Sequence, residues 1–256
     1  MNKFWMLRSF SLLVLLSLFS CSRQLSEPVV QPQHYEIGPV IDTSAGGDVV
    51  EDMRTTIAPY AAALSKSMNR VIGEVALPLT KGRPESTLGN WTADLLEQAA
   101  TDLFPNKQIA FAVQNYGGLR VAEIGTGPLT VSEMYELMPF DNELVVVKVT
   151  GGELRQFVEH TLADGGWPVS HGLSVVESTR GLFDIFVRGE PLNTKQTYYI
   201  AVPDYVASGG DNASMLVEKQ QYPSGRMIRD LLIEYAEKST TPISATSDGS
   251  RIKFAQ

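Results

Sequence analysis

The hydrophobic residues of this chain change their spacing repeatedly from residue 48 onward, and no stretch settles into a regular strand–helix–strand repeat. Spacings of three and four mark helices, whereas alternation and short apolar runs mark strands. Helices and strands intermingled without a βαβ rhythm predict an α+β fold with mixed sheets.

Residues 48–69 carry Val49, Val50, Met53, Ile57, Tyr60, Leu64 and Met68 on one helical face. Asp48 suits the N-cap, with Glu51 three residues on as in a capping box, and Pro59 predicts a kink or a split. Residues 71–79 alternate like a strand, 88–103 are helical with Trp91, Leu95, Leu96 and Ala99 on one face, and 109–113 form a short apolar strand. A short helix over 131–137 opens on Thr130, and the Val-rich run 143–149 reads as a buried strand. Thr150-Gly151-Gly152-Glu153 starts a helix that buries Leu154, Phe157, Val158 and Leu162. Strands are predicted over 173–176, 183–187 and 197–202, with a turn at Gly189-Glu190. An amphipathic helix over 226–237 and a closing strand over 252–254 complete the chain.

The N-terminus reads as an address. Lys3 and Arg8 precede an almost wholly apolar or hydroxylic stretch over 11–20. A membrane-spanning helix needs about 20 apolar residues, so this stretch suits the core of a secretory signal instead. Cys21, the only cysteine, follows as Leu18-Phe19-Ser20-Cys21. That string resembles a bacterial lipobox, which implies lipidation of Cys21 and a place in the cell envelope, periplasmic or outer-membrane associated. Residues 1–20 are therefore read as a signal peptide. Residues 21–47, with Pro28, Pro32, Pro39 and Gly38, are read as a flexible tether. The remaining stretch of roughly 210 residues is enough for one sizeable domain. A lone cysteine excludes an intrachain disulfide and a multi-cysteine zinc site. The formal charge of −8, or −10 without Lys3 and Arg8, disfavours a nucleic-acid-binding surface. It still allows a small anionic ligand, because a few arginines can hold one phosphate.

Three short strings join a polar or aromatic group to a Gly or Pro turn, the composition of a ligand-contacting loop. They are NYGGLR at 115–120, MPFDN at 138–142 and YVASGGDN at 205–212. Gly117-Gly118 lets the backbone turn or approach a ligand closely, and Arg120 offers a planar fork to a phosphate or ribose oxygen. Each feature also has a plain reading: a Gly-Gly turn, a core aromatic at Phe140, a turn aspartate at Asp211.

Taken in order, and preceded by Arg83-Pro84-Glu85-Ser86-Thr87-Leu88-Gly89-Asn90, these strings resemble the C-terminal, nucleotide-recognition domain of the 5'-nucleotidase family. The resemblance spans 48–256, with 48–69 similar to the helix that joins the two domains of that family. It implies a four-layer α/β/β/α sandwich. It also implies that Phe140 and Tyr205 sandwich a base and that Asn142 fills the polar position two residues after the first aromatic. Asp211 would accept hydrogen bonds from ribose hydroxyls, while Asn115, Gly117, Gly118 and Arg120 would surround the sugar or phosphate. Arg83 is the counterpart of a family phosphate or ribose contact, at a shifted spacing, and Gly172 of a glycine near the base, with His171 beside it. Tyr116 stands where the family has a glycine; if that position needs positive φ, tyrosine is strained there.

Hydrolysis in the family needs two divalent metals in an N-terminal metallophosphatase domain. The three histidines here, His34, His160 and His171, form none of its ligand strings, and Glu159 and His160 do not share a helix face. The expectations are therefore no catalytic residue, no metal and no cofactor in this chain, with divalent metals only in a partner domain. The expected partners are a nucleoside or nucleotide, a separate metallophosphatase domain and, through the N-terminal lipid, a membrane, but no nucleic acid. The expected function is nucleotide recognition within a 5'-nucleotidase system. The alternatives are a non-catalytic nucleoside-binding lipoprotein and an interaction domain with a decayed pocket, for which Tyr116 and the shifted Arg83 speak.

Overall fold

The computed structural model describes residues 47–178 and 181–255. The signal peptide, Cys21, His34 and the tether up to residue 46 lie outside the described residues. The chain divides into two units, Met1–Arg54 and Thr55–Gln256, and the second carries the fold. Helix α1 (Gly47–Met68) begins one residue before Asp48, which lies inside the helix rather than at its cap. The helix also runs through Pro59 without splitting. The side chains of Ile57, Tyr60 and Leu64 are exposed.

The chain then runs through β1 (Val71–Val75), β2 (Leu79–Thr80), α2 (Thr87–Leu103), β3 (Ile109–Ala112), β4 (Glu123–Ile124), β5 (Gly127–Thr130) and α3 (Val131–Leu137). It continues with β6 (Glu143–Thr150), α4 (Gly151–Ala163), β7 (Leu173–Glu177), β8 (Phe183–Val187), β9 (Glu190–Pro191) and β10 (Thr197–Pro203). The one-turn α5 (Asp204–Ala207), β11 (Gln220–Met227), α6 (Ile228–Lys238) and β12 (Ile252–Lys253) follow. A four-stranded sheet in the order β11-β6-β10-β3 forms the centre, and a second has the order β12-β7-β8-β9. Both are mixed, because β10–β3 and β12–β7 are parallel while the other pairs are antiparallel. The α+β class read from the sequence holds.

Alternation along the central strands builds the layers. Leu144 and Val146 of β6, with Ala201 of β10, face a core shared with α2, α3 and α6. Val145, Val147, Ile200 and Val202 face a second core that also takes Leu154, Phe157 and Val158 of α4 and Val175 and Ile185 of the second sheet. Because successive side chains of a strand point to opposite faces, a near-continuous Val run is what a sheet buried on both sides requires. Helices thus lie outside the central sheet on one face, and the second sheet and α4 share the core on the other.

Caps place the helix starts. Ser86 Oγ accepts from the Gly89 amide at the head of α2, and Thr130–Glu133 and Thr150–Glu153 complete capping boxes at α3 and α4. The last helix starts at Ile228, two residues later than predicted, because Arg226 belongs to the edge strand β11.

Candidate functional site

The register of the central sheet gathers the three strings. Pro203 at the end of β10 pairs with Leu144 at the start of β6, and Ala201 of β10 pairs with Ala112 at the end of β3. The chain leaving β3, the chain entering β6 and the chain leaving β10 therefore emerge at one end of the sheet. Asn115, Gly117, Gly118, Arg120, Phe140, Asn142, Tyr205 and Asp211 line a single cavity of about 300 Å³ there. Its two aromatics are unusual for large apolar rings in being 44% (Phe140) and 46% (Tyr205) exposed, so neither is the core aromatic of the plain reading. Tyr205 stands on the one-turn helix α5 rather than on a loop.

Asp211 is the polar centre. Its Oδ2 accepts from Asn115 Nδ2 at 2.7 Å and its Oδ1 from the Tyr205 hydroxyl at 3.0 Å. Asn115 is buried, and its own Oδ1 accepts from Gln114 Nε2 at 2.9 Å. Gly118 packs so tightly on these amides that an added Cβ would lie 2.1 Å from Gln114 Nε2. Asp211 and Asn212 both adopt left-handed φ values, 49° and 63°, a conformation these short polar residues tolerate best after glycine. His160 supports this loop from α4: its Nε2 lies 2.9 Å from the Asp211 carbonyl, an arrangement that requires the Nε2–H tautomer. The His160 ring meets Trp167 edge-on, with centroids 5.6 Å apart.

The Phe140 turn is held from the far end of the chain. Arg229, buried at the start of α6, donates through Nη1 to the carbonyls of Met138 (3.1 Å) and Phe140 (3.4 Å), and through Nη2 to Asp141 Oδ1 (2.6 Å). The Ile228 amide donates to the Asn142 carbonyl at 2.8 Å. Arg120 donates to the Gly117 carbonyl at 3.3 Å, and its guanidinium lies 5.5 Å from the Phe140 centroid. Arg229 and His160 were not singled out as site residues; both act through partners distant in sequence, which no local string signals.

Tyr116 is not strained. It opens a 3-10 turn, Tyr116–Gly118, and among the described residues positive φ at a non-glycine occurs at Arg188, Asp211 and Asn212. The ring lies outside the lining of the first cavity, with Lys81 Nζ at 4.0 Å and Arg83 Cζ at 3.9 Å from its centroid. Arg83 itself lines no part of that cavity and pairs with Asp164 at 3.0 Å. The Asp164 carboxyl is held below the usual aspartate range, chiefly by the Trp167 indole N–H and then by Arg83. Gly172 also lies away from the cavity, against the carbonyl of Ala110. The exposed His171 binds Asp94.

The fourth string serves the fold. Asn90 Nδ2 donates to Glu85 Oε1 and to the Thr246 carbonyl, and Glu85 Oε2 accepts from the Arg251 amide. It thereby fastens the C-terminal segment. Among the described residues no group of three or more His, Cys, Asp or Glu side chains is placed to hold a metal ion.

Comparison with known proteins agrees with this fold. The family model for the 5'-nucleotidase C-terminal domain matches residues 71–218. An apyrase from Tabanus yao is 24% identical over 236 residues, covering 81% of this chain and 41% of that protein. A 5'-nucleotidase from Vibrio vulnificus is 29% identical over 135 residues, covering 51% of this chain and 24% of that protein. The crystal structure of a 5'-nucleotidase precursor from Thermus thermophilus superposes with a TM-score of 0.68 at 26% identity, covering 80% of this chain and 44% of that one. The chain thus spans less than half the length of each of these relatives. With the family model covering more than half of its residues, this chain belongs to the 5'-nucleotidase C-terminal domain family.

Proposed function

We propose that the cavity at the end of the central sheet binds a nucleoside or nucleotide. In this reading the chain is the specificity half of a 5'-nucleotidase system whose metallophosphatase domain is supplied by another chain. The observation that carries it is the convergence, in one cavity of about 300 Å³, of two half-exposed aromatic rings with a carboxylate flanked by amide and hydroxyl donors. The rings supply faces for a base, each such stack being worth about 1–3 kcal/mol. Asp211 suits a sugar diol, because a carboxylate can accept from both hydroxyls. Hydrolysis would fall to metals held by the partner. Of the two features that speak for a decayed pocket, Tyr116 is unstrained and outside the cavity lining, whereas Arg83 also lies outside it.

Calorimetric titration of the full chain with adenosine and AMP tests the reading. Binding at millimolar concentration or tighter, weakened at least fivefold by Phe140→Ala, supports it, and no binding overturns it. The division of labour is tested by mixing the chain with a metallophosphatase domain. Nucleotide hydrolysis that either component alone catalyses fully would refute it. We further propose that Cys21 is lipidated and anchors the chain in the cell envelope. Cys21→Ala should then shift the protein from the membrane to the soluble fraction.

A further inference from the structure

Asp211 is held at each of its polar atoms by a side chain from elsewhere in the chain. Its amide donates to the Tyr205 hydroxyl oxygen at 3.3 Å, and that hydroxyl donates back to Oδ1 at 3.0 Å. Asn115 Nδ2 donates to Oδ2 at 2.7 Å. The backbone carbonyl lies 2.9 Å from Nε2 of His160. Such fixing has a physical reason. Asp211 and Asn212 both have left-handed backbone, at φ 49° and 63°, and an L-residue stays in that region only where its surroundings hold it there. A backbone rotation at Asp211 would carry its carboxylate out of place in the cavity.

Tyr205 and Asn115 line the cavity, whereas His160 does not. His160 stands in the last turn of α4, 51 positions from Asp211. A carbonyl only accepts, so the imidazole donates from Nε2. Its ring is set by Trp167, which meets it edge-on at 5.6 Å and 81°. Trp167 is itself buried, donates from its indole N–H to Asp164 Oδ2 at 2.7 Å, and meets Phe157 edge-on at 6.2 Å. His160 therefore stands on the core behind α4 and reaches the one polar atom of Asp211 that is bonded from outside the cavity.

We propose that His160 is a positioning residue for ribose. By holding the Asp211 carbonyl it fixes the left-handed backbone that aims the carboxylate at a sugar diol, and so sets a preference for ribonucleosides over nucleosides lacking both hydroxyls. This role rests on the nucleoside reading above and gives the selectivity to a side chain that need not touch the ligand. The Phe140 and Tyr205 rings stack on a base whatever the sugar carries, so loss of the brace acts on the diol.

The test is calorimetry on the full chain with adenosine and 2',3'-dideoxyadenosine, which share a base and differ in the diol. It compares the unaltered chain with His160→Phe, which keeps a ring on Trp167 but removes the donor, and His160→Gln, which restores an N–H donor. Thermal midpoints and hydrogen–deuterium exchange over residues 205–212 are measured on each. The unaltered chain should prefer adenosine by about tenfold or more, the scale of a hydrogen bond to a charged group. His160→Phe should remove most of that preference by weakening adenosine alone and should speed exchange in the loop, whereas His160→Gln should retain both. Equal affinities of the unaltered chain for the two ligands, equal weakening of both by His160→Phe, or a preference unchanged in that variant would overturn the proposal. A merely structural role would lower the midpoint and leave the ribose preference where it was. If neither ligand binds, the nucleoside reading falls and exchange alone decides the brace: it stands if His160→Phe speeds the loop amides and His160→Gln does not, and falls otherwise.

Discussion

Gly210→Ala isolates the contribution of the Tyr205 ring. Gly210 does not use a positive φ, so alanine fits its backbone. An added Cβ, however, would lie 2.5 Å from Cε1 and Cζ and 2.6 Å from Cδ1 of Tyr205. The ring is 46% exposed and free to move outward, so it should yield while the fold stays intact. That movement would separate the hydroxyl from Asp211 Oδ1, now 3.0 Å away, and tilt the face offered to a base. If one stacking surface is lost, the cost is about 1–3 kcal/mol, or roughly five- to 150-fold in affinity at 1.4 kcal/mol per factor of ten. The thermal midpoint should move little, because little buried contact is lost. Gly209→Ala is the contrast: φ is +92° and the new Cβ would lie 2.9 Å from Val217, so it should lower the midpoint through backbone strain of about 1–2 kcal/mol. Titration with adenosine and thermal melts of both variants separate the two effects. Adenosine affinity in Gly210→Ala equal to that of the unaltered chain would refute the assignment of Tyr205 to the site.

Arg229→Met should lower stability by about 2–3 kcal/mol, since it strips a charged donor from the Met138 and Phe140 carbonyls, and should weaken nucleoside binding as the Phe140 turn loosens. A urea melt and a titration check this, with Asp141→Asn, at a residue 73% exposed, expected to change stability far less. Asn115→Ala should cost about 1–3 kcal/mol by leaving Gln114 Nε2 without its partner in a buried place, and an unchanged urea midpoint would refute it. The depressed Asp164 carboxyl has a definite sign: its stabilising contribution is complete above the ordinary value of 3.8 and is lost as pH falls through its lower folded value. Thermal midpoints measured from pH 5 down to 2 should therefore fall less steeply in Asp164→Asn than in the unaltered chain.

What was legible in the sequence was local. The helix starts at Thr130 and Thr150, the Val run of β6 and the turn residues around Phe140 and Asp211 each carry their signal within a few positions. Strand β11 did not, because Gln220–Met227 is an edge strand with Pro223 and Gly225 and a break in register. An edge strand tolerates proline and glycine and needs no apolar alternation, so it leaves no periodic trace. The residues that hold the site in shape were hidden for a different reason. Arg229 reaches Phe140 across 89 positions and His160 reaches Asp211 across 51, and such pairs exist only once the sheet has set its register.

Tyr116 illustrates the limit of reading a glycine pattern. A family glycine suggests a backbone that only glycine can adopt, and a tyrosine in its place then suggests strain. The 3-10 turn at Tyr116–Gly118 uses no positive φ at all. In this chain the position carries no dihedral demand, and a side chain there is free to take on work. It points toward Lys81 and Arg83, whose like charges repel and would separate unless something between them attracted both. The tyrosine at this position is therefore no evidence of backbone strain.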